Sequence, residues 1–286
     1  MCPVTARIAV TGATGNLGGA VAAALAAAGS EQRLLVRSPD RAPRLNRADV
    51  AVADYADPEA CKVALNGIDT VFMVSGAEEP DRVQAHRTFV DAARAAGVRR
   101  VLYTSFLGAS PDATFTLARD HWYTEQHIRS SGMRFTFLRD NLYADQLPLF
   151  AGPDGVLLGP GGDGRVSAVV RRDVVDVAVA VLLAAGVESE HDGRTYQLTG
   201  PEALSLADAA RIIAEVTGRP TRYQPQTISE AYASRAGYGA PDWQLDAWVS
   251  TYTAIAVGQL AVVTQDVQLV AGHPATSLRE MLLATR

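Results

Sequence analysis

The residues best spaced for chemistry lie near the start of the chain, in Thr11-Gly12-Ala13-Thr14-Gly15-Asn16-Leu17-Gly18. Glycine recurs every third position, at Gly12, Gly15 and Gly18. An apolar run, Ile8-Ala9-Val10, precedes the motif, and an alanine-rich stretch, Leu17 to Ala28, follows it. That order predicts strand, glycine turn, helix. The first glycine takes the backbone angles of a tight turn, the second leaves room for a pyrophosphate, and the third lets the helix lie close on the strand. The helix then opens with unpaired N–H groups and the positive end of its dipole aimed at phosphate. A dinucleotide site is the expectation.

A second chemical signal follows the next apolar run. Arg33 to Arg37 reads as a strand, and in a dinucleotide fold the residue at its end meets the adenosine ribose. An acid there favours NAD; this chain has Arg37, then Ser38, with Arg41, Arg44 and Arg47 nearby. A guanidinium fork matches a 2′-phosphate, so NADPH is expected, with NADH the weaker alternative. Arg44 and Arg47 read equally well as a solvated loop. Asp54 closes the third strand, Val50 to Ala53, and is expected either to bond the adenine or, with Asp57, to cap the helix from Pro58 to Leu65. Ser75-Gly76 leaves the fourth strand, Thr70 to Val74, where backbone runs under a nicotinamide ribose. A helix is predicted from Glu79 to Ala96, with His86 on a polar-looking turn and read as surface.

The elements that position these groups alternate. Strands are expected at Arg100–Thr104 and Phe135–Arg139, with a helix over Phe115–Ser131 between them. Such alternation predicts an α/β, Rossmann-type, doubly wound parallel sheet with right-handed crossovers. Further on, glycine-rich turns at 152–155 and 159–164 bracket Val156–Leu158, read as a mobile flap or hairpin, or else a plain linker. Arg165–Val170 is expected to be extended and Asp173–Ala185 to be a buried helix. A strand at Arg194–Leu198 is expected to return to the sheet. Helices are expected at Leu206–Val216, capped by Ser205, at Ser229–Ala236, over Pro241–Val257 and at Thr276–Leu283, with a short strand at Arg222–Gln224. Trp243, Trp248 and Tyr252 are read either as core or dimer face, or as flat walls for an aromatic ligand.

The totals exclude several classes. A net charge of −5 offers no polybasic nucleic-acid surface. Two cysteines, Cys2 and Cys61, make no metal spacing and suit a reducing cytoplasm. Met1 to Arg7 runs straight into a strand, so no signal peptide is expected. The apolar run Val174–Val187 is too short to span a bilayer.

With TGATGNLG, VRSPDRA, ADY, YTSFLGA, HWYTEQHIRSSG, FTFLRDNLY and GHPATSLRE in view, the chain resembles the NmrA-like branch of the atypical short-chain dehydrogenase/reductases. Within that branch it is most similar to the type 2 NAD(P)H:quinone oxidoreductases, then to the triphenylmethane-dye reductases. The resemblance runs almost end to end. It implies an NADPH-dependent reductase with a Rossmann domain over 1–146, rejoined by a strand and helix around 165–200. A smaller mixed α/β lobe over 147–286 would be mainly for substrate. Carried onto this chain, Gly12, Thr14, Gly15, Asn16 and Leu17 would hold the pyrophosphate and Arg37 the 2′-phosphate. Asp54 and Tyr55 would flank the adenine, and Val74, Ser75 and Gly76 would meet the ribose and nicotinamide. Tyr103, Thr104 and Ser105 would line the nicotinamide side. Asn141, Leu142 and Tyr143 would reach the site from beyond the sixth strand, with Tyr143 counted among the catalytic candidates.

Most short-chain dehydrogenases use Tyr-x-x-x-Lys as their acid. Here Lys62 is the only lysine, and His121 and Glu125 stand at the tyrosine and lysine positions. Hydride transfer to a plain ketone makes a strongly basic alkoxide, whereas transfer to a quinone makes a phenolate-like oxygen whose acid has a pKa of about 10. General-acid help worth roughly 10²–10⁴-fold is dispensable for such an acceptor. A quinone, a conjugated enone or a cationic dye is therefore the expected substrate. His121 either orients or protonates it, or fills the vacated space; Ser105 either donates a hydrogen bond to it or caps the strand exit. Tyr123 and His127 share a helix face and are read as packing. The alternatives are a non-catalytic NADP(H)-sensing regulator that binds a protein partner, and a reductase or isomerase of a biosynthetic intermediate. The expected partners are a small aromatic or quinone-like molecule and a second copy in a homodimer, with no nucleic acid, membrane or metal.

Overall fold

A computed structural model describes residues 7–184 and 189–285. Cys2 and the end of the predicted helix at Ala185 lie outside them. Seven strands make one sheet in the order β3-β2-β1-β4-β5-β6-β9. They are β1 (Ile8–Thr11), β2 (Gln32–Val36), β3 (Ala48–Val52), β4 (Thr70–Met73), β5 (Arg100–Phe106), β6 (Arg134–Asp140) and β9 (Thr195–Leu198). The pairs β2·β3, β1·β2, β1·β4 and β4·β5 are parallel. The Phe137 and Asn141 N–H groups reach the Arg194 and Leu198 carbonyls, so β6 and β9 advance together. The order steps outward from β1 in both directions, which is the doubly wound arrangement. The helices between strands are α1 (Asn16–Ala27), α2 (Pro58–Ala64), α3 (Arg82–Ala95) and α4 (Thr116–Ser130), then α5 (Arg171–Leu183) ahead of β9.

The sequence explains the order of burial. β1, β4 and β5 are buried at every residue, as a central parallel strand covered on both faces requires. β3 is the edge, and its Val50 and Val52 are exposed. α3 starts later than predicted: Glu79 precedes Pro80, and a residue before proline is pushed out of the helical region.

The chain divides into two compact units. The first comprises Met1–Ser105, Asp120–Leu138 and Val175–Tyr196. Its core includes Leu35, Leu65, Met73, Phe89, Tyr103, Ile128 and Phe137. The second comprises Phe106–Arg119, Arg139–Val174 and Gln197–Arg286. It holds the short strands β7 (Val156–Gly159), β8 (Arg165–Val166), β10 (Leu204–Ser205) and β11 (Arg222–Pro225). Its helices are α6 (Leu206–Thr217), α7 (Ile228–Arg235), α8 (Asp242–Ala256), α9 (Asp266–Ala271) and α10 (Leu278–Ala284). Ser205 and Asp208 form a reciprocal capping box that starts α6. α6 then packs Ile212, Ile213 and Val216 with Leu278 and Leu282 of α10.

The glycine-rich stretch 159–164 is not a flap. An isolated antiparallel bridge joins Ala151 to Leu157 across the 152–155 turn, β7 pairs with β11 in parallel, and Gly159, Pro160 and Gly161 are buried. A Cβ on Gly159 would sit 2.2 Å from the Tyr252 ring, and one on Gly164 2.1 Å from the Ile255 carbonyl. These glycines are there for close packing. Tyr252 itself belongs to that core, beside Phe106, Phe115 and Leu157.

Candidate nucleotide and hydride-transfer site

The glycine turn joins β1 to α1. Gly12 adopts φ +62°, the left-handed region that favours glycine. A Cβ on Gly18 would lie 2.5 Å from both the Thr11 and Gly12 carbonyls, so the helix can approach the strand only without a side chain there. Gly15 is the N-cap of α1; no side chain caps the helix, and its first turn carries no acid. Its opening N–H groups therefore face outward with the dipole's positive end and no competing carboxylate. This donor set fits a pyrophosphate.

A cleft in the first unit is lined by Gly12, Thr14, Gly15, Asn16 and Leu17 from the turn and by Arg37 beyond β2. Asp54 and Tyr55 beyond β3 and Val74, Ser75 and Gly76 beyond β4 complete its walls, together with Arg82 and His86 of α3. Arg37 is 68% exposed, and its nearest carboxylate, Glu79, is 4.0 Å away, which leaves the fork able to turn to an anion. Arg41 and Arg44 are exposed, and Arg47 bonds the Gly29 carbonyl at 2.7 Å. Asp54 accepts the Ala56 N–H at 3.0 Å, while Asp57 caps α2 through the Ala60 N–H.

Side chains hold the Val74–Gly76 wall at nearly every backbone group. The Val74 N–H donates to Thr11 Oγ1 at 2.9 Å, and Tyr55 donates to the Val74 carbonyl at 2.7 Å. Thr11 and Tyr55 hydroxyls meet at 2.5 Å, so Tyr55 is turned inward, its phenol pushed up by burial. Thr104 accepts the Ser75 N–H at 2.8 Å. His86 accepts the Gly76 N–H at 2.8 Å through Nε2, and Arg82 Nε donates to the Gly76 carbonyl at 3.1 Å.

Tyr103, Thr104 and Ser105 lie in fully buried β5. Ser105 donates to Glu125 at 2.5 Å, with both side chains fully buried. Its hydroxyl is spent inside the fold. His121 is buried too: Nε2 lies 3.0 Å from Arg82 Nη2, and Nδ1 lies 3.0 Å from the Tyr103 hydroxyl. Burial pushes the Tyr103 phenol up. Asp120 stands 3.5 Å from Arg82 Nη1; burial raises its carboxyl, and the guanidinium opposes that.

Asn141 and Tyr143 belong to the second unit. The Asn141 amide donates to the Ser167 carbonyl and hydroxyl and to the Leu260 carbonyl, at 3.0–3.1 Å. That side chain is a clamp within its own unit. Tyr143 donates a short hydrogen bond to Asp140, and the Arg171 guanidinium lies 4.7 Å over its ring. Burial, then the Asp140 charge, raises the phenol. Burial also raises the Asp140 carboxyl, to about 7, against the Tyr143 bond.

His86 corrects the surface reading: it is fully buried, and burial, then Arg82, pushes its pKa down to about 3. Arg82 and His86 escaped the sequence reading, yet a signal existed. Positions 82, 86, 89, 90 and 93 are all buried and recur at helical spacing, one face of α3 shared with Phe89, Val90 and Ala93.

Residues 12–185 match the family model described as NAD(P)H-binding. The chain is 33% identical over 282 residues to an NAD(P)H azoreductase of Xenophilus azovorans, covering 97% of each chain. It is 36% identical to the (4-alkanoyl-5-oxo-2,5-dihydrofuran-3-yl)methyl phosphate reductase of Streptomyces griseus, covering 96% and 95%. Among solved structures it superposes with a TM-score of 0.87 on the NADPH-dependent quinone oxidoreductase of Escherichia coli complexed with NADPH, at 32% identity over 97% of this chain and 99% of that one. No described helix is long and apolar enough to cross a membrane. The uncapped glycine turn, the family match and these full-length likenesses lead to one assignment: the chain belongs to the NAD(P)H-binding, NmrA-like reductase family and is an NAD(P)H-dependent oxidoreductase.

Proposed function

We propose that the chain is an NADPH-dependent reductase of quinones and similarly activated conjugated acceptors that works without the Tyr-x-x-x-Lys acid. One observation carries the reading. The ring at the expected tyrosine position, His121, is engaged at both nitrogens, and the side chain at the expected lysine position, Glu125, accepts from Ser105. Neither is arranged as the standard pair. When bound, NADPH supplies the hydride.

The chain's own groups do the rest. The first turn of α1 neutralises the pyrophosphate. Arg37 pairs with the 2′-phosphate, for which no acid competes at the end of β2. The pinned Val74–Gly76 backbone forms a rigid wall at the nicotinamide end. Positioning is then the main contribution to rate. The second unit is the acceptor lobe, with Tyr143 its candidate catalytic side chain. A conjugated furanone is a second acceptor class, favoured by the 36% identity to the Streptomyces griseus reductase. The soluble cytoplasm is the expected setting.

The test is a spectrophotometric assay at the NADPH absorbance band with benzoquinone and, separately, cyclohexanone. Oxidation with the quinone and none with the ketone is expected. Tight NADPH binding with no turnover of any conjugated acceptor would replace the reading with a cofactor sensor.

A further inference from the structure

Arg82 is a buried guanidinium that nothing in the motif explains. Its Nε donates to the Gly76 carbonyl, its Nη2 contacts His121, and its Nη1 faces Asp120 across 3.5 Å. Arginine has donors only. His121 Nε2 must therefore present its lone pair to Nη2, which places the ring proton on Nδ1. That N–H then donates to the Tyr103 oxygen. His86 has the same tautomer for the same kind of reason. Its Nε2 accepts the Gly76 N–H, so its Nδ1–H donates to Thr124 at 2.9 Å. The Thr124 hydroxyl donates to the Asp120 carbonyl at 2.8 Å. The contacts close a circuit that leaves Gly76 by its N–H, runs through His86, Thr124, Asp120 and Arg82, and returns by its carbonyl, with His121 bracing Arg82 from outside it.

We propose that Arg82 and His121 are positioning residues: Arg82 closes a circuit of polar contacts on the Gly76 peptide, and His121 braces it as a neutral Nδ1–H strut, not as an acid. The proposal rests on Gly76 being the wall of the nucleotide cleft. Protonating His121 Nε2 would set one N–H against another. The charged and titratable groups around the ring are Arg82 and His86 on α3, Tyr103 on β5, and Asp120 and Glu125 on α4. The Arg82 cation opposes a second positive charge on the ring, and the Asp120 carboxylate is already directed at that cation.

The test joins nitrogen-15 NMR of histidine-labelled protein with steady-state kinetics. From about pH 5.5 to 8, the window in which a histidine ordinarily titrates, His121 should show a protonated Nδ1, a bare Nε2 and no titration. In Arg82→Met it should titrate. His121→Phe should raise the KM for NADPH about tenfold, the worth of one charge-assisted hydrogen bond, more than it lowers kcat. His121→Gln should restore most of the loss, since its amide oxygen accepts from Arg82 and its N–H donates to Tyr103. A wild-type His121 that titrates with kcat, or a His121→Gln enzyme with a KM for NADPH as high as that of His121→Phe, overturns the proposal. If Arg82→Met does not fold, Arg82→Lys serves: a single nitrogen replaces the two that reach Gly76 and His121, and an unchanged KM would equally overturn the proposal. The NMR arm judges the circuit even if wild-type protein bound no pyridine nucleotide, a result that would instead sink the functional reading.

Discussion

Arg37→Ala should weaken NADPH by about tenfold or more, since a charge-assisted hydrogen bond to a phosphate is worth roughly 1.5–3 kcal/mol. NADH, lacking the 2′-phosphate, should be weakened far less; fluorescence titration of each nucleotide checks this. Equal losses would remove the cofactor preference. The place of Arg37 in the cleft wall was legible because an arginine stood where a strand-end acid belongs. His86 was not, because one polar residue among Gln84, Arg87 and Thr88 reads as surface unless the helical period is followed through Phe89 and Val90. Ser105 and Asn141 were not legible in role. Their hydroxyl and amide are committed to Glu125, Ser167 and Leu260, residues far away in sequence.

At the scale of elements, the turn between β1 and α1 admits no side chain at Gly18. Gly18→Ala places a methyl 2.5 Å from two backbone carbonyls, which cannot swing aside as a flexible side chain could. A loss of about 2 kcal/mol in stability is expected, typical of overpacking, together with weaker NADPH binding. Denaturant midpoints and nucleotide titration measure the two losses. Ser205→Ala removes one half of the box that starts α6 and should cost about 1 kcal/mol while leaving nucleotide affinity as it was. Both features could be read from local sequence, since glycine spacing and Ser-x-x-Asp carry their own mechanism. The segment 159–164 could not. Glycine there signals freedom or closeness equally, and only Tyr252 and Ile255, some ninety positions on, decide for closeness.

For the whole molecule, the alternation of strands and helices made the parallel sheet legible. The chain's repeated passage between two units was harder to see. Phe106–Arg119 enters the second unit before β6 is made, and Val175–Tyr196 comes back to the first. No local signal marks such a crossing, because buried residues on both sides are equally apolar. Global stability should carry a pH signature from one residue of the second unit. In the fold Asp140 keeps its proton up to about pH 7, whereas unfolded it loses it from its ordinary value of 3.8. The unfolded state thus sheds a proton first, so this contribution is intact below about pH 4 and is lost as pH rises to about 7. Asp140→Asn, which still accepts from Tyr143, should flatten that slope in thermal melts taken across the range.

The central claim is that a reduced, 2′-phosphorylated pyridine nucleotide docks on the Gly12–Gly18 turn. Isothermal titration calorimetry of the intact protein with NADPH and NADH, repeated on Gly15→Val, tests it directly. The account predicts a one-to-one complex with NADPH, at least about tenfold tighter than with NADH, and loss of both when valine fills the phosphate cradle. Heat from neither nucleotide, or undiminished binding by Gly15→Val, would contradict it.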